Sequence, residues 1–116
     1  MILNNKVAFV TGGSRGIGKE ISFALAKEGA KVFLTYNTKI EMADKVVSAI
    51  KALGGDAITK SMDVRNRQDI NRALQKCIQS YKKIDILVNC AGINNPNDFD
   101  RVTDEEWDDI LDVNLK

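Results

Sequence analysis

The sequence contains no histidine. Histidine is the side chain that titrates near neutral pH and the commonest metal ligand, so histidine-based acid–base catalysis and most zinc sites are excluded within these 116 residues. Cysteine is scarce as well. Cys77 falls on a predicted helix face and Cys90 in a turn after a predicted strand. We therefore expect no disulfide, no metal site and a reducing, cytoplasmic location.

The sequence also has little excess charge and no long apolar run. Lysine and arginine number 17 against 16 aspartates and glutamates, a net charge of +1, so no basic field favours nucleic acid. No apolar run approaches the roughly 18 residues of a membrane span. The first six residues lack the charged and apolar segments of a signal peptide. We expect one domain at most, with neither nucleic acid nor a membrane as partner.

Short apolar runs alternate with stretches of helical periodicity along the whole chain. Residues 7–10, 31–36, 56–62 and 84–88 are predicted strands. Helical spacing begins near residues 17, 40 and 70, and a capping box at residues 103–106 opens a final helix. Strands separated by helices of this length form right-handed crossovers in a parallel sheet. The predicted fold class is α/β, a doubly wound parallel sheet with helices on both faces.

A glycine-rich segment, residues 11–18 with the sequence Thr-Gly-Gly-Ser-Arg-Gly-Ile-Gly, joins the first strand to the first helix. A strand that turns tightly into a helix points free amides and the positive end of the helix dipole at the turn. Glycine is needed there for positive φ and for close approach of the backbone to a pyrophosphate. The spacing G-x-x-x-G-x-G differs from the G-x-G-x-x-G dinucleotide fingerprint, so a plain strand-to-helix loop is the alternative interpretation.

Four motifs in order resemble the N-terminal half of the short-chain dehydrogenase/reductase family, most of all its 3-oxoacyl-(acyl-carrier-protein) reductase-like members. They are residues 11–18, Asp63-Val64, residues 89–92 with the sequence Asn-Cys-Ala-Gly, and Asn114. The resemblance covers essentially the whole chain. It implies a Rossmann-type fold, a nicotinamide cofactor, and hydride transfer to the ketone of a small carbonyl or acyl thioester substrate, as in fatty acid synthesis.

The cofactor-binding residues implied by the resemblance fall into groups along the cofactor. The glycine-rich segment 11–18, called the glycine turn below, would surround the pyrophosphate. The Asp63-Val64 pair would bind the adenine amino group and a ring nitrogen. The turn after the fourth strand passes the cofactor ribose. With the end of the second strand added, the set is Thr11, Gly12, Ser14, Arg15, Gly16, Ile17, Gly18, Tyr36, Asn37, Thr38, Asp63, Val64, Asn89, Ala91 and Gly92.

Two positions in these motifs have alternative interpretations. Asn114 resembles the family residue that anchors a water in a proton relay to a catalytic lysine, and it is the one catalytic residue implied for this chain. A solvated asparagine near a helix end is the alternative. Cys90 stands where the family usually has asparagine. Since that motif acts largely through its backbone, we expect little loss, and a buried small apolar residue is the simpler interpretation.

NADP(H) is the expected form of the cofactor. NAD-preferring folds place an acidic residue at the end of the second strand to bond the ribose 2′-hydroxyl. Here that strand runs into Asn37, Thr38 and Lys39, and the first carboxylate is Glu41. Arg15 lies inside the glycine turn, where a guanidinium could pair bidentately with a 2′-phosphate. A solvated loop cation is the alternative interpretation of Arg15.

The family's catalytic serine, tyrosine and lysine are not expected in this chain. The family places a Tyr-x-x-x-Lys motif after its fifth strand, but Tyr36 is followed four residues later by Ile40 and Tyr81 by Asp85. We therefore expect residues 1–116 to be the N-terminal dinucleotide-binding part of a single Rossmann domain whose catalytic half is absent, and to be inactive alone. A non-catalytic NADP-binding or interaction module, or one half of a split enzyme, are the alternatives.

The family topology implies the strand order 3-2-1-4, truncated after the fourth strand and the following helix. The fourth strand, residues 84–88, would then be an edge with one interior charge, Asp85. The last helix would expose Trp107, Ile110 and Leu111. We expect self-association through this strand and this helix.

Overall fold

The structure is a computed structural model, and it describes residues 1–90. Four strands alternate with three helices: β1 (Val7–Thr11), α1 (Gly16–Lys27), β2 (Lys31–Tyr36), α2 (Ile40–Ala52), β3 (Asp56–Ser61), α3 (Arg67–Tyr81) and β4 (Ile86–Asn89). All strand pairs are parallel, and the order is β3-β2-β1-β4. The predicted α/β class, the parallel sheet and the strand order 3-2-1-4 are confirmed.

The sheet is covered on both faces, because successive side chains of a strand point to opposite sides. On one face Phe9 and Phe33 stack with ring centroids 5.3 Å apart and pack in one cluster with the apolar stripe of α3. On the other face Val10 and Leu34 pack with residues of α1 and α2, among them Ile50. Buried strands flanked by helices on both sides are the doubly wound arrangement predicted from the sequence.

Helix α3 has the clearest local determinants of the three helices. The Asn66 side chain accepts hydrogen bonds from the amides of Gln68 (3.0 Å) and Asp69 (3.2 Å), so it caps the first turn. The helix ends at Tyr81 and is capped by Lys82, whose φ of 75° is left-handed and whose amide donates to the Ile78 carbonyl at 2.8 Å. The apolar stripe predicted from helical spacing is buried throughout: Ile70, Ala73, Leu74, Cys77, Ile78 and Tyr81.

The fourth strand begins later than predicted, at Ile86 rather than residue 84. Asp85 explains the difference: its carboxylate Oδ2 accepts the Val7 amide at 2.8 Å, and its own amide donates to the Val7 carbonyl at 2.8 Å. A side chain thus takes the place of a backbone partner, and the ladder to β1 starts with Ala8 opposite Ile86. Lys83 Nζ lies 3.1 Å from the same carboxylate oxygen.

The balance of charges around Asp85 favours its ionised form. Partial burial by itself raises the pKa of Asp85, but the hydrogen bond from the Val7 amide and the Lys83 ammonium together hold the pKa below its ordinary value. The ionised carboxylate therefore connects the start of β1 to the segment that leads into β4.

Several of the predicted features lie outside the described residues. The final helix, Ala91, Gly92 and Asn114 belong to residues 91–116, so the structure gives no account of them.

Cys77 and Cys90 are both free thiols, and burial raises the pKa of Cys77 to about 12. Within residues 1–90, no helix has the length and apolar character needed to cross a lipid bilayer.

Candidate cofactor-binding site

The candidate site lies at the carboxyl end of the sheet, where all four parallel strands finish. From β1 the chain first builds β2 and β3 on one side, and it then returns to place β4 on the other side of β1. This reversal makes the β1–β4 boundary a topological switch point, and open α/β sheets bind ligands outside the strand ends at such points. The glycine turn after β1 and the turn after β4 both begin there.

The start of α1 leaves its first amides without a side-chain cap. Arg15 is extended, with φ of −158°, and its side chain makes no capping hydrogen bond to the helix. The first turn contains no acidic residue. The first amides of a helix have no intrahelical partner, and the helix dipole adds a partial positive charge. A methyl group added at Gly16, whose φ is 59°, would meet no atom within 4 Å, so the turn faces open space on that side.

Gly18 allows α1 to lie directly on the preceding turn. A Cβ at Gly18 would stand 2.1 Å from the Gly12 carbonyl oxygen and 2.8 Å from its carbon. No side chain fits at that distance, so the helix start can approach the turn only with glycine here. Ser22, one turn later, is buried and donates its hydroxyl to the Gly18 carbonyl at 2.8 Å.

Thr11 joins the glycine turn to the end of β4. Its hydroxyl donates to Asn89 Oδ1 at 2.8 Å and accepts the Cys90 amide at 3.0 Å. The Thr11 side chain is fully buried. These contacts fix the relative position of the two turns, and they involve the backbone of Cys90 rather than its thiol. Burial raises the pKa of that thiol.

Asp63 lies just after β3 and is held by its neighbours. Arg65 donates to Asp63 Oδ1 from its backbone amide (2.9 Å) and from Nε (3.2 Å), and to Oδ2 from Nη2 (3.3 Å). The side-chain bonds first, and the backbone bond next, hold the pKa of Asp63 below its ordinary value. The Asp63 amide in turn donates to Asp69 Oδ2 at 3.2 Å. Asp63 is therefore an oriented, ionised acceptor, and Val64 beside it is half-buried.

The end of β2 supplies the remaining residues of the predicted set. Tyr36 is half-buried at the last position of the strand, and its carbonyl accepts the Met62 amide at 2.8 Å. Asn37 and Thr38 follow in the exposed segment that leads into α2. Arg15 is exposed as well. The residues predicted to bind the 2′-phosphate and the glycine turn thus lie at the same carboxyl end of the sheet.

Two residues that make contacts at the carboxyl end of the sheet were not singled out from the sequence. One is Arg65, which donates hydrogen bonds to Asp63. The only sequence signal for this pair is an acidic residue followed two positions later by a basic one. The other is Thr35, whose hydroxyl and carbonyl both bond the glycine turn. Its signal is a polar residue within the apolar run of β2, and it becomes informative only when the neighbouring strand is known.

Known proteins resemble this chain in sequence. Residues 6–116 match the family described as short chain dehydrogenase. A 3-oxoacyl-(acyl-carrier-protein) reductase, FabG of Staphylococcus aureus strain Mu50, is 40% identical over 111 residues, which are 96% of this chain and 45% of the relative. The short-chain dehydrogenase/reductase FrzI of a Cladobotryum species is 43% identical over 114 residues, 98% of this chain and 44% of the relative.

Solved structures of short-chain dehydrogenases have a similar fold. A dehydrogenase/reductase from Sinorhizobium meliloti 1021 superposes with a TM-score of 0.78 at 42% identity, covering 93% of this chain and 43% of its own. A short-chain dehydrogenase from Burkholderia cenocepacia J2315 in complex with NADP gives a TM-score of 0.78 at 38% identity, covering 99% and 46%. The chain spans less than half the length of each of these four relatives. It belongs to the short-chain dehydrogenase family of oxidoreductases.

Proposed function

We propose that this chain is the NADP(H)-binding part of a carbonyl reductase of the 3-oxoacyl-(acyl-carrier-protein) type, which reduces a ketone to an alcohol. The observation that carries the proposal is the start of α1: an uncapped helix end without acidic residues, lying directly on the glycine turn at the switch point of the sheet. An NADP complex of a structural relative supports the same cofactor.

The described residues fit such a cofactor by their chemistry. The amides at the start of α1 would hold the pyrophosphate, and Ser14 and Ile17 would line it. Asp63 would accept the adenine amino group, and the Val64 amide would donate to the ring. Asn89 would hold the turn that passes the ribose. Bound NADPH would supply the hydride, while these residues would bind and orient it.

The preference for NADP(H) over NAD(H) rests on charge. The segment after β2 carries Asn37, Thr38 and Lys39 and has no carboxylate before Glu41, which lies in α2. A carboxylate at the strand end would repel a 2′-phosphate, and its absence is as important as the exposed guanidinium of Arg15. The relatives named as acyl-carrier-protein reductases favour an acyl thioester among the small carbonyl substrates.

The chain's exposed edge supports a second candidate function. Among the described strands β4 is at an edge of the sheet, and Leu87 on it is 44% exposed. Edge strands with apolar side chains pair readily with other chains. We therefore propose self-association through β4 and the predicted last helix. Either a non-catalytic nucleotide-binding module or one half of a split enzyme would use this edge.

Binding calorimetry with NADPH and NADH tests the cofactor assignment. We expect Arg15→Ala to weaken NADPH binding by about 10- to 100-fold, since a hydrogen-bonded charge pair contributes about 1.5–3 kcal/mol, and to leave NADH binding unchanged. Lys27→Ala removes an exposed cation at the far end of α1 as the matched control and should change neither. Full retention of NADP preference in Arg15→Ala would contradict the assignment.

Mixing tests the split-enzyme alternative. The purified chain would be combined with a candidate C-terminal half that carries the serine, tyrosine and lysine, and NADPH oxidation by a 3-oxoacyl thioester would be followed by absorbance. We expect the chain alone to give no turnover. Activity that appears only on mixing would support the split enzyme, and activity of the chain alone would contradict its expected inactivity.

A further inference from the structure

We infer that Thr35 is a positioning residue for the pyrophosphate-binding turn, because its buried hydroxyl fixes the first amide of that turn. The inference rests on the proposed NADP(H) site and adds a determinant of affinity to it. Thr35 itself belongs to β2, outside the glycine motif, and is only 1% exposed.

Two hydrogen bonds connect Thr35 to the turn. The Gly12 amide donates to Thr35 Oγ1 at 3.3 Å, and the Gly13 amide donates to the Thr35 carbonyl at 3.1 Å. The regular register of β1 with β2 extends to Val10 opposite Leu34. The two bonds of Thr35 continue the pairing into the turn, one through the side chain and one through the backbone.

The backbone of Gly12 is thereby fixed on both sides of its Cα. Its amide is bonded to Thr35, and its carbonyl oxygen faces Gly18 so closely that no Cβ would fit between them. The start of α1 is therefore set against the sheet through this one residue. The Gly12 and Gly13 amides face β2, which leaves anion binding to the amides that follow them in the turn.

Replacing the hydroxyl by a methyl group of the same shape isolates this role. Valine at position 35 keeps the volume and the β-branched shape suited to a strand, but it cannot accept the Gly12 amide. That amide loses its partner in a partly buried place, so the turn is no longer held where it must meet the pyrophosphate.

Binding of two different ligands to the Thr35→Val variant distinguishes a displaced glycine turn from a damaged fold. We expect Thr35→Val to bind NADPH about 5- to 10-fold more weakly in calorimetry, the scale of one net hydrogen bond. Adenosine 2′-monophosphate has the adenine, ribose and 2′-phosphate but no pyrophosphate, so its affinity should change less than about twofold. Equal losses for both ligands, or no loss for NADPH, would overturn the inference.

Thr59 provides a matched control in the neighbouring strand. It pairs with Leu34 in the β2–β3 register, and its buried Oγ1 has no hydrogen-bond partner among residues 1–90. Thr59→Val therefore makes the same chemical change without removing a bond, and NADPH affinity should stay as in the original chain. Thr35→Ser retains the hydroxyl and should restore most of the affinity. Failure of this rescue would contradict the positioning role.

Amide hydrogen exchange in the chain without ligand gives a test that does not depend on cofactor binding. The Gly12 amide should be protected in the original chain and in Thr35→Ser, and unprotected in Thr35→Val. Free exchange of the Gly12 amide in the original chain would overturn the inference even if the valine variant fails to fold. If the original chain keeps Gly12 protected but binds no NADPH, the proposed function fails, and the effect on affinity fails with it.

Discussion

Replacing Gly18 by alanine tests how α1 is seated on the glycine turn. The new Cβ would lie 2.1 Å from the Gly12 carbonyl oxygen, roughly 1 Å short of the about 3.3 Å at which carbon and oxygen make contact. The opposing atoms are backbone and cannot rotate away. The helix start or the turn must therefore move.

Gly16→Ala is the matched comparison, because it places the same methyl group in the same turn for a different cost. Its φ of 59° is left-handed, which costs an alanine roughly 1–2 kcal/mol, but its Cβ would meet no atom within 4 Å. Overpacking costs about 1–3 kcal/mol and occasionally more, and a contact against backbone belongs at the upper end. We expect Gly18→Ala to lower the free energy of unfolding by about 3 kcal/mol or more, and Gly16→Ala by about 1 kcal/mol.

Urea unfolding followed by circular dichroism measures both variants. At roughly 4 °C of melting temperature per kcal/mol, the two should differ by about 8 °C or more in thermal scans. Equal stability of the two variants, or a Gly16→Ala variant less stable than Gly18→Ala, would refute the argument that α1 is fixed by this close approach.

Two predictions concern the ends of other elements. Asn66→Ala removes the cap of α3 and should cost about 1 kcal/mol in urea unfolding, and an unchanged midpoint would contradict the capping bonds seen here. Asp85→Asn should destabilise the chain at pH 7. Because the pKa of Asp85 is lowered in the folded state, the carboxylate's contribution is present above the unfolded pKa of about 3.9 and is lost as pH falls through the folded value. The difference between the original chain and Asp85→Asn should therefore shrink in acid unfolding below about pH 4, and a constant difference would contradict the role of the charge.

Local pattern accounts for the elements that the sequence predicts well. The stripe of α3 is visible because residues three and four apart share a helix face, and all of its members are buried. The run from residue 31 to residue 36 is rich in apolar, aromatic and β-branched residues, and β2 has those bounds. The glycine turn is recognisable because positive φ and close backbone approach select glycine. The residue roles assigned at this edge remain predictions.

The sequence alone therefore determined the alternation of strands and helices, the doubly wound class, the strand order through family resemblance, and the place of the glycine turn. Only the tertiary structure decided which polar groups meet across strands. Thr11 bonds Asn89, 78 residues away, and Gly12 bonds Thr35, 23 residues away. Asp85 takes the Val7 amide and so moves the start of β4. Periodicity records which side of an element faces the core, whereas such hydrogen bonds depend on strand register, which exists only once the sheet has formed.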